Sequence, residues 1–382
     1  MAKEIIFMPL GGGQRVGASC YYLKLGENNI LLDAGTGKKD GIIFVPDFHS
    51  LLTSPYLESL GQINQVYISH AHADHVGYLI QLMKEIPKAG VYMTDITRLL
   101  CEYQLYDRHY LMKKGNENHR LDTLSLFDKI TEVSYMKRLK FSSYSATFFP
   151  AGHIPGAMMT FFRYDKRNIL YTGDYSIDPT PFTDGCMLPN NLNIDTLIMC
   201  GLHARHPSYR KRSDKLFHEV KKVFDFAVKK NISVLCYVPQ LSKGIEFVKM
   251  LNRYNEHHVP IYIDPSIMNV VYKMERLSIP VLTKDNRMMG TDFPKRSHIY
   301  VTSDINSRPI GGYMDINIDF SLHEDFPQMK KFIKQINPRQ AVVVHCAKPF
   351  FGDNTTIEQE IITDGDCRTQ FIFAQENEIY KL

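Results

Sequence analysis

The sequence lacks the patterns that would assign a protein of 382 residues to a specialised structural class. None of its 7 cysteines forms a CxxC pair, which disfavours a disulfide framework or a thiolate zinc cage and favours free thiols in a reducing compartment. No apolar run approaches the roughly 20 residues that cross a bilayer, and no secretion signal is visible at the start. We therefore expect a cytoplasmic protein with no membrane partner.

Charge of one sign is not in excess either, because 45 lysines and arginines face 41 aspartates and glutamates, a net charge of +4. That balance excludes a protein that coats nucleic acid or membrane by net charge alone, so any polyanion site must be local. We find no internal repeat and no low-complexity segment, and 44% hydrophobic residues is ordinary for a globular protein. Histidine is abundant, at 15 residues, and its imidazole binds transition metals.

Hydrophobic periodicity predicts an α/β protein. Short β runs between glycine-bearing turns fill the first half, and a helical period begins after His75. Strands and helices alternate from about residue 210 to residue 302, which predicts a small parallel α/β unit. The predicted strands are 4–8, 19–25, 29–33, 65–69, 168–172, 196–199, 233–237, 261–263, 298–302, 315–320 and 341–345, and the second half includes predicted helices at 243–253 and 269–277.

The strongest signal is the segment 70–75, His-Ala-His-Ala-Asp-His, where a strand gives way to a helix. About 0.003 such windows are expected by chance in a chain of this composition. Alternation along the strand end predicts His70 and His72 on one side, with Asp74 and His75 directed at a second position in the following turn. The pattern predicts two metal ions, and its donors favour zinc, with manganese or iron as alternatives. The competing interpretation is a set of surface histidines with Asp74 as a helix cap.

Later strand ends offer further ligands. His153 lies in Ala-Gly-His-Ile-Pro-Gly, and Asp174 follows Tyr-Thr-Gly, although both residues also suit ordinary turns. The glycine run 11–13 lacks the Gly-Lys-Ser/Thr of a Walker loop, so we expect it to turn tightly near the rim of the site.

The chain carries the motif HxHxDH, followed by a histidine and then an aspartate. In this order of residues it resembles the metallo-β-lactamase superfamily. Through 10–20, 31–35, 319–323 and 342–345 it resembles the β-CASP branch, which includes ribonuclease J and the cleavage-and-polyadenylation endonuclease. The resemblance implies an αββα sandwich formed by residues 1–198 and 308–382. Residues 199–307 would form an inserted compact α/β cap, a shortened β-CASP-like domain, and the cleft between the two domains would hold two zinc ions.

The resemblance also implies a role for each residue of this centre. One zinc would be bound by His70, His72 and His153, the other by Asp74, His75 and His345, and both would be bridged by Asp174. Asp33 would fix the metal loop from outside the ligand set. Asp74 and His323 would be the catalytic residues, His323 protonating the leaving oxygen. A helix-start position for His323 and a core position for His345 are the plainer alternatives.

One residue departs from the resembled pattern. Cys200 stands at the strand end that enters the inserted domain, where active β-CASP nucleases usually present a carboxylate. Without that carboxylate we expect His323 to be less well oriented and activity to be weak or altered.

A basic run follows Cys200, and its charged members are Arg205, Arg210, Lys211 and Arg212. This run would either contact phosphates or form a solvated face.

These features predict a dinuclear zinc-dependent phosphodiesterase that hydrolyses nucleic acid by attack of a metal-bound hydroxide. Single-stranded RNA is favoured over DNA, because histidine at the position of His345 accompanies RNA-processing members of the resembled branch. Two alternatives stay open. One is a metal-dependent hydrolase of a small ester, lactone or cyclic phosphate, since a fold and a metal site do not choose a substrate. The other is a catalytically weak RNA-binding protein, which Cys200 would explain.

Overall fold

The computed structural model describes residues 4–107, 125–205, 212–238, 243–289, 296–304, 312–346, 357, 359 and 369–382. The chain divides into two compact units. Unit 1 comprises Met1–Pro179, Thr183–Tyr209 and His323–Leu382, and unit 2 comprises Thr180–Phe182 and Arg210–Leu322. The inserted domain expected over 199–307 stays a prediction, and compact unit 2 is displaced from that range toward the C-terminus.

Unit 1 contains two seven-stranded sheets, with strands numbered here along the chain. In spatial order the first sheet consists of β21 (Tyr380–Lys381), β1 (Ile5–Gly11), β2 (Cys20–Leu25), β3 (Asn28–Leu32), β6 (Gln65–Tyr67), β7 (Gly90–Thr94) and β8 (Ile130–Val133). The second consists of β20 (Gln370–Phe373), β19 (Gln340–Val344), β13 (Thr196–Cys200), β12 (Arg167–Tyr171), β11 (Met158–Tyr164), β10 (Tyr144–Pro150) and β9 (Arg138–Lys140). A separate hairpin pairs β4 (Gly37–Lys39) with β5 (Ile42–Phe44).

The two sheets of unit 1 share one apolar core. The ring of Tyr67, in the first sheet, lies 5.2 Å from that of Phe162 in the second, and its hydroxyl lies 2.8 Å from the hydroxyl of Tyr144. Strands β1, β13 and β19 are buried over all or nearly all of their length, as expected for strands covered on both faces. The fold class predicted from the sequence is confirmed.

Short helices join the strands of unit 1. Within its described part these are α1 (Phe48–Leu52), α2 (Ala73–Val76), α3 (Leu79–Glu85), α4 (Asp95–Cys101) and α8 (Phe326–Ile336), with a 3₁₀ turn at Leu60–Gln62 and a π-helical turn at Glu102–Asp107. The helix predicted after His75 is thus two helices, separated at Gly77. A Cβ at Gly77 would lie 2.1 Å from Thr36 Oγ1, so only glycine permits this close approach.

Unit 2 contains a five-stranded sheet that is parallel throughout. Its spatial order is β16 (Asn286–Met288), β15 (Ile261–Ile263), β17 (Ile299–Thr302), β14 (Val234–Tyr237) and β18 (Met314–Asn317), and its helices are α5 (Arg212–Phe224), continued by a π-helical segment at Asp225–Lys229, α6 (Lys243–Tyr254) and α7 (Pro265–Arg276). The parallel α/β unit predicted from the alternation is present. Helix α7 begins at Pro265 rather than at the predicted residue 269, because Asp264 caps it.

Among the described residues, no helix combines the length and apolar character that crossing a membrane requires. The cytoplasmic location stays a prediction.

We predict that Asp264→Ala lowers the free energy of unfolding by about 2 kcal/mol or more, because several buried donors lose their acceptor. The buried Asp264 carboxylate accepts hydrogen bonds from Ile267 N at 2.8 Å, Thr302 Oγ1 at 2.7 Å and Ser303 N at 2.6 Å. Urea denaturation followed by circular dichroism measures the change. The exposed Glu256 of the same unit supplies the control, since Glu256→Ala should stay within about 0.5 kcal/mol of the unsubstituted protein. Equal effects of the two substitutions would contradict the prediction.

Candidate metal centre

The candidate centre lies in unit 1, at the carboxyl ends of strands from both sheets. Parallel strands end at the same edge of a sheet, so the residues that follow them are brought together. The residues that supply the centre follow β3, β6, β10, β12 and β19 or end β13, and they are Asp33, residues 70–75, His153, Asp174, His345 and Cys200.

A first group of donor atoms comes from His70, His72, His153 and Asp174, whose ligand atoms all lie within 4.8 Å of one another. His70 Nε2 is 3.0 Å from His72 Nδ1, which is 3.2 Å from His153 Nε2. Asp174 Oδ2 is 3.6 Å from His70 Nε2 and 3.8 Å from His153 Nε2. Three imidazoles and a carboxylate therefore converge on one point, the donor set that zinc accepts.

A second group comes from Asp74, His75 and His345, whose ligand atoms also lie within 4.8 Å of one another. Asp74 Oδ2 is 3.9 Å from His75 Nε2 and 3.8 Å from His345 Nε2. His345 Nε2 is buried and makes no hydrogen bond to the described residues. Asp174 Oδ2 lies 3.4 Å from His75 Nε2, so this carboxylate contacts both groups.

The local route to this geometry differs from the prediction. Strand β6 ends at Tyr67, so His70 and His72 lie in the loop after the strand, and strand alternation does not align them. His72 is the residue before α2, while Asp74 and His75 lie inside that four-residue helix rather than in a turn. The motif therefore acts as a loop that leads directly into a helical turn.

Asp33 holds the loop and the helix in place. It has a left-handed backbone, φ 62°, at the end of β3. Its carboxylate accepts hydrogen bonds from Ser69 N at 2.6 Å, from Ser69 Oγ at 2.7 Å and from the Tyr171 hydroxyl, and it lies 2.7 Å from His75 Nδ1. A partner at Nδ1 fixes the His75 ring so that Nε2 faces Asp174.

Ser19 performs a similar task for His345. Ser19 Oγ is 3.1 Å from His345 Nδ1, and the Ser19 amide donates to the Asp74 carbonyl at 2.9 Å. The His345 amide donates to the carbonyl of Gly12, so the glycine run does lie beside the centre. Sequence reasoning did not select Ser19, Ser69 or Tyr171. The only local signal was that Ser19 lies in a segment that carries the β-CASP resemblance.

Burial governs the ionisation of the centre. It lowers the pKa of His70 well below its ordinary value and that of His323 to about 3. Burial acts in the same direction on His75, but the charges of Asp174 and Asp33 outweigh it and raise the pKa of His75 well above its ordinary value. Burial opposes the charged form of Asp174, yet His75 and His323 hold the pKa of this carboxyl well below its usual range. The charges of Asp174 and Asp33 thus favour the protonated form of His75 when no metal is bound.

His323 and Cys200 also reach the centre. Their ligand atoms and that of Asp174 form a third group within 4.8 Å. His323 Nδ1 is 3.6 Å from Asp174 Oδ2, and the His323 side chain is 21% exposed. Cys200 is buried at the end of β13.

The basic run yields one described contact. The Arg205 guanidinium lies over the Phe373 ring, 4.6 Å from its centre, a cation–π contact within unit 1. Arg210 and Lys211 lie outside the described residues, and Arg212 begins α5 with a side chain that is outside them too. The phosphate contacts of this run stay a prediction.

The chain is similar to proteins named as an endoribonuclease, a probable RNase and an Integrator complex subunit. It is 29% identical over 275 residues to "Endoribonuclease ysh1" of Schizosaccharomyces pombe, a match that covers 68% of this chain and 34% of that protein. It is 29% identical over 283 residues to "Probable RNase MJ4" of Methanocaldococcus jannaschii, covering 71% and 61%. It is 29% identical over 286 residues to "Integrator complex subunit 11 homolog" of Dictyostelium discoideum, covering 70% and 37%. The chain thus spans about a third of the length of the Ysh1 relative.

The resemblance to the β-CASP branch of the metallo-β-lactamase superfamily is confirmed. A solved structure of a protein of unknown function from Enterococcus faecalis supports this fold, with a TM-score of 0.68, 14% identity and coverage of 99% of this chain and 100% of that chain. The family model of the anti-Pycsar protein Apyc1 matches residues 14–198, just under half of the chain. That match ends within β13, and of unit 2 it includes only Thr180–Phe182.

We predict that Asp33→Asn weakens zinc binding by 10-fold to 100-fold, because an amide cannot accept all the hydrogen bonds that the carboxylate accepts. Asparagine tolerates the left-handed backbone at this position, so the substitution tests the hydrogen bonds rather than the turn. Competition with a chromophoric chelator measures the affinity. Asp40→Asn is the matched control, since Asp40 has φ 50° and is exposed. Zinc affinity that is unchanged in Asp33→Asn would contradict the role of Asp33.

Proposed function

We propose that this chain is a metal-dependent phosphodiesterase that cleaves RNA. The observation that carries the proposal is the convergence of seven ligand side chains in one largely buried centre, in two groups that are linked where Asp174 of the first lies 3.4 Å from His75 of the second. The endoribonucleases among the relatives support RNA as the substrate. Because the chain spans only part of those relatives, its substrate and activity are proposed rather than transferred.

The donor chemistry fits a pair of zinc ions. His70, His72 and His153 would hold one ion, Asp74, His75 and His345 the other, and the carboxylate of Asp174 would bridge them. Imidazole and carboxylate donors also suit manganese or iron, so metal analysis must decide the identity. When bound, such ions polarise a phosphate and make water a nucleophile at neutral pH.

The surrounding residues orient the ligands and contact the substrate. Asp33 and Ser19 hold Nδ1 of His75 and His345, so that Nε2 of each ring is directed into the centre. His323 lies beside Asp174 and is partly exposed, and we propose that it protonates the leaving oxygen of the cleaved phosphodiester. Because burial lowers the pKa of His323 to about 3, this role requires that the negative charge of the bound phosphate raises that pKa.

We predict that Asp74→Ala lowers the rate of cleavage of labelled single-stranded RNA by at least about 100-fold, because a metal ion contributes several kcal/mol to catalysis. Asp95→Ala is the matched control, since Asp95 is also an acidic residue in the first turn of a short helix but is exposed and outside the centre. The control should cleave at the unsubstituted rate.

The same assay separates the alternatives. Cleavage of RNA but not DNA supports the proposal. Retention of RNA without cleavage, despite bound metal, would replace it with an RNA-binding protein. Hydrolysis of a cyclic nucleotide with no cleavage of RNA would replace it with a small-molecule hydrolase.

We predict that a chelator abolishes RNA cleavage and that adding back zinc or manganese restores it, because removing the ions removes the positive charge that would meet the phosphate. Elemental analysis of the purified protein should find about two ions per chain. Full activity in a chelated protein, shown to contain no metal, would contradict the proposed chemistry.

A further inference from the structure

Cys200 is the last residue of β13, an interior strand of the second sheet of unit 1. Its strand, β13, lies between β12 and β19, and all three run parallel. Cys200 pairs in register with Val344, the residue before His345, and Asp174 follows the end of β12. Each of these three neighbouring strands therefore has a potential metal ligand at its last residue or just beyond it. The sulfur of Cys200 belongs to the middle strand.

The thiol is close to two other ligands. Cys200 Sγ, a carboxylate oxygen of Asp174 and a ring nitrogen of His323 lie within 4.8 Å of one another. Asp174 is 1% exposed, and its carboxylate faces the Cys200 thiol, whose pKa is raised by burial and by the charge and hydrogen bonding of Asp174. A buried thiol by itself is ordinary packing, but packing does not explain its convergence with a carboxylate and an imidazole.

We propose that Cys200 is a metal ligand of this two-ion centre, and that its thiolate adds a sulfur donor beside Asp174 and His323 to the ligands of the proposed ions. Zinc accepts sulfur together with nitrogen and oxygen, with Zn–S near 2.3 Å. On coordination the S–H bond breaks, the proton passes to water, and the sulfur binds the ion through the electron pair left behind. The centre would then hold a mixed N, O and S donor set in which sulfur takes the place of the expected carboxylate.

Coordination changes what is asked of His323. The nitrogen that faces Asp174 is Nδ1, at 3.6 Å from Oδ2, and a ligand role would use this atom. Nε2–H would then donate a hydrogen bond to the leaving oxygen, and a water molecule would supply the proton that this oxygen takes up.

Other cysteines do not share this position. The remaining buried cysteines with described side chains are Cys20, Cys101, Cys236 and Cys346, and none belongs to a group of metal-ligating side chains among the described residues. Cys346 is the useful comparison, because it is equally buried and lies just beyond the end of the neighbouring strand β19.

The test replaces the bound metal with Co²⁺ and records the absorption spectrum of the full chain. A thiolate ligand gives a sulfur-to-cobalt charge-transfer band in the near ultraviolet, which nitrogen and oxygen donors do not give. We expect this band in the unsubstituted protein and in Cys346→Ser, and its loss in Cys200→Ser. Zinc affinity should fall at least 10-fold in Cys200→Ser, since outer residues alone are worth that much. Cys200→Asp should keep the bound cobalt without the band, and circular dichroism reports whether each variant is folded.

The inference rests on the metal centre of the proposed function, not on RNA cleavage, and the outcomes are distinguishable. A protein that binds no Co²⁺ at all overturns the proposed centre as well. Bound Co²⁺ without the band in the unsubstituted protein overturns only the role of Cys200, whatever the variants do. If the band survives in Cys200→Ser and disappears in Cys346→Ser, the thiolate ligand is Cys346, beyond β19, and this result also overturns the role of Cys200.

Discussion

The carboxylate of Asp33 ties together the parts of unit 1 that must meet for a metal centre to exist. It is fully buried at the end of β3, and it takes hydrogen bonds from the loop after β6 and from Tyr171 of the opposite sheet while contacting the ring of His75. One acceptor thus fixes two sheets and a helix against each other. A buried carboxylate is costly unless it is fully paired, so each of these contacts depends on the others.

This constraint explains why ligands that are distant in the chain can act together. Asp33 positions the 70–75 segment, and Ser19 connects that segment to His345 through its amide and its hydroxyl. The glycine at position 35 is part of the same arrangement, because a Cβ there would lie 1.7 Å from the Asp74 carbonyl oxygen. Backbone packing, rather than ligand chemistry, therefore sets how closely the helix that carries Asp74 and His75 approaches the first sheet.

The sequence could predict features that depend on neighbouring residues, such as strand limits and dense motifs. It could not predict contacts between residues that are far apart in the chain. Strands β3, β12, β13 and β19 lie within a residue or so of their predicted limits, because each is an apolar run bounded by turn residues. Strands β10 and β11 were missed, although together they line much of the core; their aromatic runs are buried on both faces and lack alternation. The HxHxDH ligands were predictable because they are dense in sequence. The contact from Ser19 to His345 spans 326 residues and that from Asp33 to Tyr171 spans 138 residues, and no local sequence pattern predicts either contact.

Charge balance in the centre links ligand binding to folding. Asp33 and Asp174 are buried, and although burial lowers the pKa of His75, the charges of these carboxylates raise it well above its ordinary value and so favour a proton on this ring. A proton is a single charge, whereas the site gathers three carboxylates once Asp74 is counted. Ions of higher charge satisfy these groups better, so metal binding should displace the His75 proton and stabilise the fold together. The same balance removes the objection that a net charge of +4 is too small for a polyanion substrate, because the positive charge that meets a phosphate can reside in the centre itself.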